Sequence, residues 1–279
     1  MRFSVTVGAV GPGRDPRGLA ELARVAEDSG WDAVFLEDYL VYQGDTSMPT
    51  YDPWICLAAM AAATSTIKLG TTVTPVPRRR PWKLAAEAVA LDHLSGGRLI
   101  LGVGIGDPGD PFLAGAGQPS DPRVLAGKLD ESLEIIDALW TGEPVHYRGA
   151  HYSLDGAQLT ACPVQRPRIP IWVGGNLLVP AVRRRILRWD GSCAYKGPTD
   201  APQQLTPDDV RALVADHAGA STDAGRDPAV RAFDIKVRFG DGDPAEFAEA
   251  GATWCGRWLP PGPAATTYEA IRPGPPRLA

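Results

Sequence analysis

Strand-like and helix-like segments alternate from one end of this chain to the other, and no break in composition divides them. That rhythm restricts the fold to parallel α/β architectures, in which each strand is followed by a helix that covers it. Apolar runs at 3–10, 33–36, 67–73 and 98–107 read as the first four strands. Helices are expected over 16–29, 51–63 and 81–94. Leu19, Leu22, Ala23 and Ala26 share one face of the first, and Leu84, Ala88 and Leu91 align in the third. The clearest helix is 122–140, where Leu125, Leu129, Leu133, Ile136 and Leu139 recur at spacings of three and four. Further strands are expected at 169–173, 192–195, 232–238 and 252–259, with helices at 180–188 and 266–271. Eight such units favour a single α/β domain over 1–279, a (β/α)8 barrel, rather than an open sheet. A small hairpin over 145–159 interrupts the rhythm after the fourth unit, and the C-terminal part is compressed.

Composition removes several classes of function. The net charge of -5 gives no basic field for nucleic acid or an anionic membrane surface. The run at 3–10 is short and broken by Ser4 and Thr6, so neither a signal peptide nor a membrane span is expected, and the chain reads as cytoplasmic. Four cysteines and four histidines are scattered without ligand spacing, so no metal centre and no disulfide framework are expected. The 31 glycines and 27 prolines fall mainly between periodic segments, as turns rather than disorder.

In a barrel the chemistry belongs to the C-terminal strand ends. The fourth strand ends in Gly102-Val-Gly-Ile-Gly-Asp107, which would leave bare main chain for a flat ligand. Residues 104–109 match G-x-G-x-x-G, but Asp107 would face the phosphates and no helix follows until about 121, so a dinucleotide fold is disfavoured. Gly174-Gly-Asn176 precedes a helix and can aim N–H groups at a phosphate, or can serve as a plain turn. Glu37-Asp-Tyr39 ends strand two with two carboxylates and a phenol, and Asp107 faces the same rim as a candidate acid–base group or as a turn-former before proline. Arg78–Arg80, Arg183–Arg185 and Arg188 read as solvated surface, and Lys196 as solvated or as a contact for an anionic substrate. None of the histidines is expected to be catalytic.

Several segments together resemble the bacterial luciferase-like superfamily of flavin- and deazaflavin-dependent oxidoreductases. They are 30–38 (Gly-Trp-Asp-Ala-Val-Phe-Leu-Glu-Asp), 70–81, 91–106 with its Leu-Ser-Gly-Gly-Arg, 139–145, and 162–175 with its Pro-Val-Gln and Gly-Gly. The resemblance covers most of 3–200 and fades beyond. It implies a barrel whose mouth holds reduced FMN or, alternatively, F420, with a non-prolyl cis peptide at Thr71–Thr72 buttressing the ring. It further implies cofactor contacts from Asp38, Thr71, Thr72, Gly106, Asp110, Gly174, Gly175 and Asn176. Asp38 and Tyr39 would line the substrate side and Asp107 would pass a proton, while Tyr42, Trp258 and the loop 106–123 exclude water. Small-molecule substrate, homodimer and a separate flavin reductase are the partners it implies. Several deazaflavin-using relatives carry histidine where Tyr39 stands, which favours FMN and a monooxygenase over F420 and hydride transfer. A non-catalytic flavin-binding barrel is the rival from another class.

Overall fold

The computed structural model describes residues 1–107, 110, 112, 115–197, 203–223, 233–238 and 243–276. Eight parallel strands form its sheet: β1 (Arg2–Gly8), β2 (Ala33–Glu37), β3 (Lys68–Thr71, continued by Thr74–Pro75), β4 (Leu99–Gly104), β5 (Ile171–Val173), β6 (Gly191–Ser192), β7 (Asp234–Arg238) and β8 (Trp254–Leu259). Neighbours pair in chain order, and β8 closes the ring on β1, from Arg2 opposite Trp254 to Val7 opposite Leu259. The closed (β/α)8 barrel is therefore present and the open dinucleotide sheet is not. The hairpin Val145–Arg148 with Ser153–Ala157 lies outside the ring.

Helices α1 (Pro16–Asp28), α2 (Pro53–Ala63), α3 (Pro81–Ser95), α4 (Pro122–Leu139), α5 (Pro180–Ile186), α6 (Pro207–Asp223), α7 (Pro244–Glu249) and α8 (Ala264–Ile271) follow the strands. Four of them start at an Asp-Pro pair. Asp15, Asp52, Asp121 and Asp243 each accept a first-turn N–H, and the proline that follows needs no acceptor. The compression expected late in the chain is real: β6 has two residues and α7 six. Residue 232 of the expected seventh strand lies outside the described residues.

Strand alternation sorts side chains into two cores. Val5, Val7, Val34, Leu36, Leu101, Val103 and Ile235 pack outward under the helices. Ala33, Phe35, Ile100, Trp172 and Trp254 point into the barrel. There Trp172 lies 5.3 Å from Phe35 and 5.4 Å from Trp254, centroid to centroid, so the lower barrel is packed and not a pore.

Charged groups at the N-terminal end of the barrel are saturated. Arg98 is buried and donates to the carbonyls of Ala61, Thr64, Ser95 and Ile67 and to Thr64 Oγ1. Asp92, also buried, accepts the N–H groups of Val164 and Gln165 and the Gln165 amide. Glu27 accepts the N–H groups of Ser65, Thr66 and Ile67. Burial alone would raise its pKa, but these donors outweigh it and hold the carboxyl down to about 2. Among the described residues no helix is long and apolar enough to cross a membrane.

Candidate active site

The C-terminal end of the barrel differs from the floor because alternation carries polar residues inward there. On β2, Phe35 points in and Leu36 out, so Glu37 turns into the barrel and Asp38 away from it. The Asp38 side chain is 2% exposed and pairs with Arg78 at 3.2 Å and Arg79 at 2.9 Å. Arg78 also donates to the Asp38 carbonyl and lies 3.7 Å from Asp110. Arg78 and Arg79, expected as solvated surface, are instead a clamp joining β2 to the turn after β3, and the Asp38 carboxylate, expected on the substrate side, is paired with both of them.

Glu37 is the mouth residue that sequence reasoning passed over. Its Oε2 is buried without a partner. Burial raises its pKa, and the influence of the Trp258 indole and the charges of Lys236 and Arg238 only partly offset that. A neighbouring position on β1 is Gly8, where an added Cβ would sit 3.7 Å from Oε2. Lys236 enters from β7, 3.3 Å from Thr6 Oγ1 and 5.5 Å above the Phe35 ring. Burial lowers its pKa, against the opposing influence of Cys193, Cys255 and Glu37. Glu37, Cys193 and Lys236 are all half-buried, so water reaches part of each through the mouth while the barrel wall crowds the rest. Arg238 lies 5.0 Å from the Trp258 ring at the upper edge.

Tyr39 completes this wall, ring to ring with Tyr42 at 5.1 Å. Burial raises its pKa, and Glu37, Tyr42 and Asp107 raise it further, which puts Tyr39 within electrostatic reach of both carboxyls. Asp107 itself is exposed at the rim. Tyr42 and Trp258 therefore do border the mouth. Of the loop expected to exclude water, residues 108, 109, 111, 113 and 114 lie outside the described residues.

The end of β3 corrects three more expectations. The non-prolyl cis peptide is Thr72–Val73, one residue later than Thr71–Thr72. Thr71 is buried, and its hydroxyl sits in a structural chain from Trp54 Nε1 through Thr74 Oγ1 to the Gly102 carbonyl. Thr72 instead keeps a buried Oγ1 with no partner. The strand-end glycines are not bare: a Cβ at Gly104 or Gly174 would lie 2.8 Å or 2.6 Å from the Val73 side chain. Those glycines make room for Val73, so the surface offered to a flat ligand is Val73.

Gly106 sits against Pro75, with its φ at 82°. Asp110 accepts from the Phe112 N–H and pairs with Arg78, so its carboxylate is spent within the protein. In the turn after β5, Asn176 Oδ1 accepts from the Leu178 N–H, and the Gly175 carbonyl accepts from the Tyr195 N–H. The N–H groups of Gly175 and Asn176 have no acceptor among the described residues. Arg185 departs from the solvated face expected of that helix, being buried and bidentate on Asp130; Arg184 and Arg188 are exposed, Arg188 paired with Glu134, and Arg183 pairs with Asp216. Lys196 pairs with Asp209 at 2.7 Å. The four histidines keep away from the mouth: His93 bonds the Cys162 carbonyl, His146 pairs with Asp155, His151 lies beside Gly127, and His217 stacks on Phe233. An outer cleft of about 520 Å³ lies between α4 and the segment 162–168; there Arg168 pairs with Asp137 and Asp190 and Arg188 with Glu134, while Arg166 is exposed.

A packed barrel floor beneath a mouth of incompletely satisfied polar groups is the plan of a (β/α)8 enzyme. Its family follows from comparison: the chain matches the luciferase-like monooxygenase family over residues 1–254 and belongs to that family of oxidoreductases. A Nakamurella multipartita protein named F420-dependent glucose-6-phosphate dehydrogenase is 36% identical over 165 residues, 58% of this chain and 47% of that protein. The match thus spans about half the length of that relative. Among solved structures, the F420-dependent tetrahydromethanopterin reductase of Methanopyrus kandleri superposes with a TM-score of 0.73 at 20% identity, covering 97% of this chain and 96% of that one. A monooxygenase from Streptomyces bottropensis gives 0.72 at 22% identity, covering 98% and 97%. At those identities the two structures agree with this chain in fold.

Proposed function

We propose that this protein is a deazaflavin-dependent oxidoreductase, which takes F420 in its barrel mouth and exchanges a hydride with a small substrate bearing a carbonyl or hydroxyl group. The observation that carries this reading is the polar mouth: Glu37 Oε2 and Thr72 Oγ1 without partners, and Lys236 with one weak one. An oxygenated flavin needs a dry pocket, whereas hydride transfer to a carbonyl needs a proton at hand. The curated relative at 36% identity bears an F420-dependent name, which supports the same choice.

The unpartnered polar atoms fit the polar edge of such a ring, and Val73 and Thr72 would support its face. When bound, the cofactor supplies the hydride chemistry, and the protein supplies position and electrostatics. The free N–H groups of Gly175 and Asn176 would take its phosphate. Asp107, exposed and near Tyr39, would exchange protons with solvent. Asp38 acts through Arg78 and Arg79 by fixing the wall. Tyr39, standing where several deazaflavin relatives carry histidine, favours a second reading: reduced FMN supplied by a separate reductase, with O2 as co-substrate. Either reading includes a homodimer, checked by light scattering.

Fluorescence titration of the protein with F420 and with FMN separates the two. The proposal expects F420 to bind at least about tenfold tighter, roughly 1.4 kcal/mol. Tighter FMN binding reverses the assignment, and binding of neither overturns both.

A further inference from the structure

We infer that Glu37 is the acid–base residue of this mouth, giving a proton to the carbonyl oxygen of a small aldehyde or ketone and taking it back from the alcohol in reverse. This rests on the hydride-transfer reading above and names a residue for it.

Three observations converge on Glu37. It stands at a strand end on the inward face, in a half-buried position that water reaches only from the mouth. Its Oε2 is buried without any partner, and the Trp258 indole lies close enough to the carboxyl to influence its charge. The adjoining β1 residue is Gly8, so no side chain of β1 stands between Oε2 and the backbone there, although Val10 crowds the same spot at 3.2 Å from an added Cβ. The alternatives are occupied or remote. Asp38 is locked between two guanidinium groups, Asp110 is committed to Arg78 and Phe112, and Asp107 is exposed at the rim. Tyr39 is pushed away from ionisation, and all four histidines lie elsewhere.

The charged and titratable groups facing Glu37 are Lys236 and Arg238 from β7 and Tyr39 and Tyr42 beyond β2; Asp107 reaches it through Tyr39, and Cys193 and Cys255 flank Lys236. Burial favours the neutral acid and so raises the Glu37 pKa above the ordinary carboxylate value. In the reductive direction a bound reduced deazaflavin would supply the hydride, two electrons with one hydrogen, that the carbonyl carbon needs. Glu37 would give its proton to the carbonyl oxygen as the carbon–oxygen π pair moves onto it, so that the substrate becomes an alcohol and Glu37 a carboxylate. The positive charges of Lys236 and Arg238 favour that carboxylate until solvent reprotonates it past Tyr39.

The test uses the full chain, wild type and the variants Glu37→Gln and Glu37→Asp, with F420 and with glyceraldehyde and cyclohexanone as probes. Infrared spectra of the protein without cofactor should contain a protonated-carboxyl C=O band near neutral pH that Glu37→Gln removes. Glu37→Gln should bind F420 within about twofold of wild type yet oxidise reduced F420 about 100-fold more slowly, and lose the basic limb of the pH–rate profile. Glu37→Asp should recover part of the rate with the limb retained. An infrared band common to wild type and Glu37→Gln overturns the inference, as does an unchanged rate in Glu37→Gln. So does wild type that binds F420 and reduces neither probe. Wild type that fails to bind F420 overturns the cofactor reading, and the hydride step with it, which no Glu37 variant can mimic.

Discussion

The two ends of this barrel treat charge in opposite ways. At the N-terminal end Arg98 meets five acceptors and Glu27 three backbone donors, and Asp92 stitches α3 to the segment before β5. At the C-terminal end Glu37 and Thr72 keep buried oxygens without partners, and Lys236 leans on one hydroxyl and an aromatic face. Buried polar atoms left unmade cost about 1–3 kcal/mol each. The floor also holds unpartnered buried atoms, Ser4 Oγ and the Trp172 and Trp254 indole N–H groups, but its charged groups are paired, whereas the Glu37 carboxyl at the mouth keeps an oxygen without a partner. The motifs that carry the family resemblance divide along the same line. Asp92, Ser95, Arg98 and Gln165 hold the floor together and have no part in chemistry.

The largest effect that can break this comparison is at Arg98. Arg98→Ala should strip Ala61, Thr64, Ser95 and Ile67 of their shared donor and cost about 3–5 kcal/mol of unfolding free energy in denaturant titration. Asp38→Ala comes next, at about 2–3 kcal/mol, since Arg79 retains Asp52 and Glu87 and partial access to water. A loss of turnover without loss of stability in that variant would return Asp38 to the reaction.

Glu27→Gln should cost about 1–2 kcal/mol at neutral pH. Its folded pKa, near 2, lies below the ordinary carboxylate value of 4.5, so the stabilisation is complete above that value and lost as pH falls toward 2. The gap between wild type and Glu27→Gln should close across that window. A gap independent of pH would mean the charge is not what matters. Asp107→Asn should keep cofactor affinity and lower turnover about tenfold, some 1.4 kcal/mol of barrel-mouth chemistry, measured under saturating cofactor.

Much of the scaffold was legible in the sequence because it rests on local rules. The period of α4 and the order of units both survive in the structure. The site was less legible because it depends on side-chain direction and on contacts far apart in the chain. Glu37 and Asp38 are adjacent, similar acids, yet one residue of strand phase sends them to opposite faces. That signal was available in the alternation of Ala33, Phe35 and Glu37 against Val34 and Leu36. The inward turn of Arg78 and the burial of Arg185 were not available, since their partners Asp38 and Asp130 lie 40 and 55 residues away. Gly104 promised bare main chain and Gly174 a phosphate turn, but only the folded chain puts Val73 over both.

Equilibrium unfolding of Glu37→Gln, compared with Arg98→Ala under the same conditions, weighs one end of the barrel against the other. Glu37→Gln should be about as stable as wild type, because no interaction of Oε2 is lost. Destabilisation as large as that of Arg98→Ala would contradict the account, making Glu37 part of the framework.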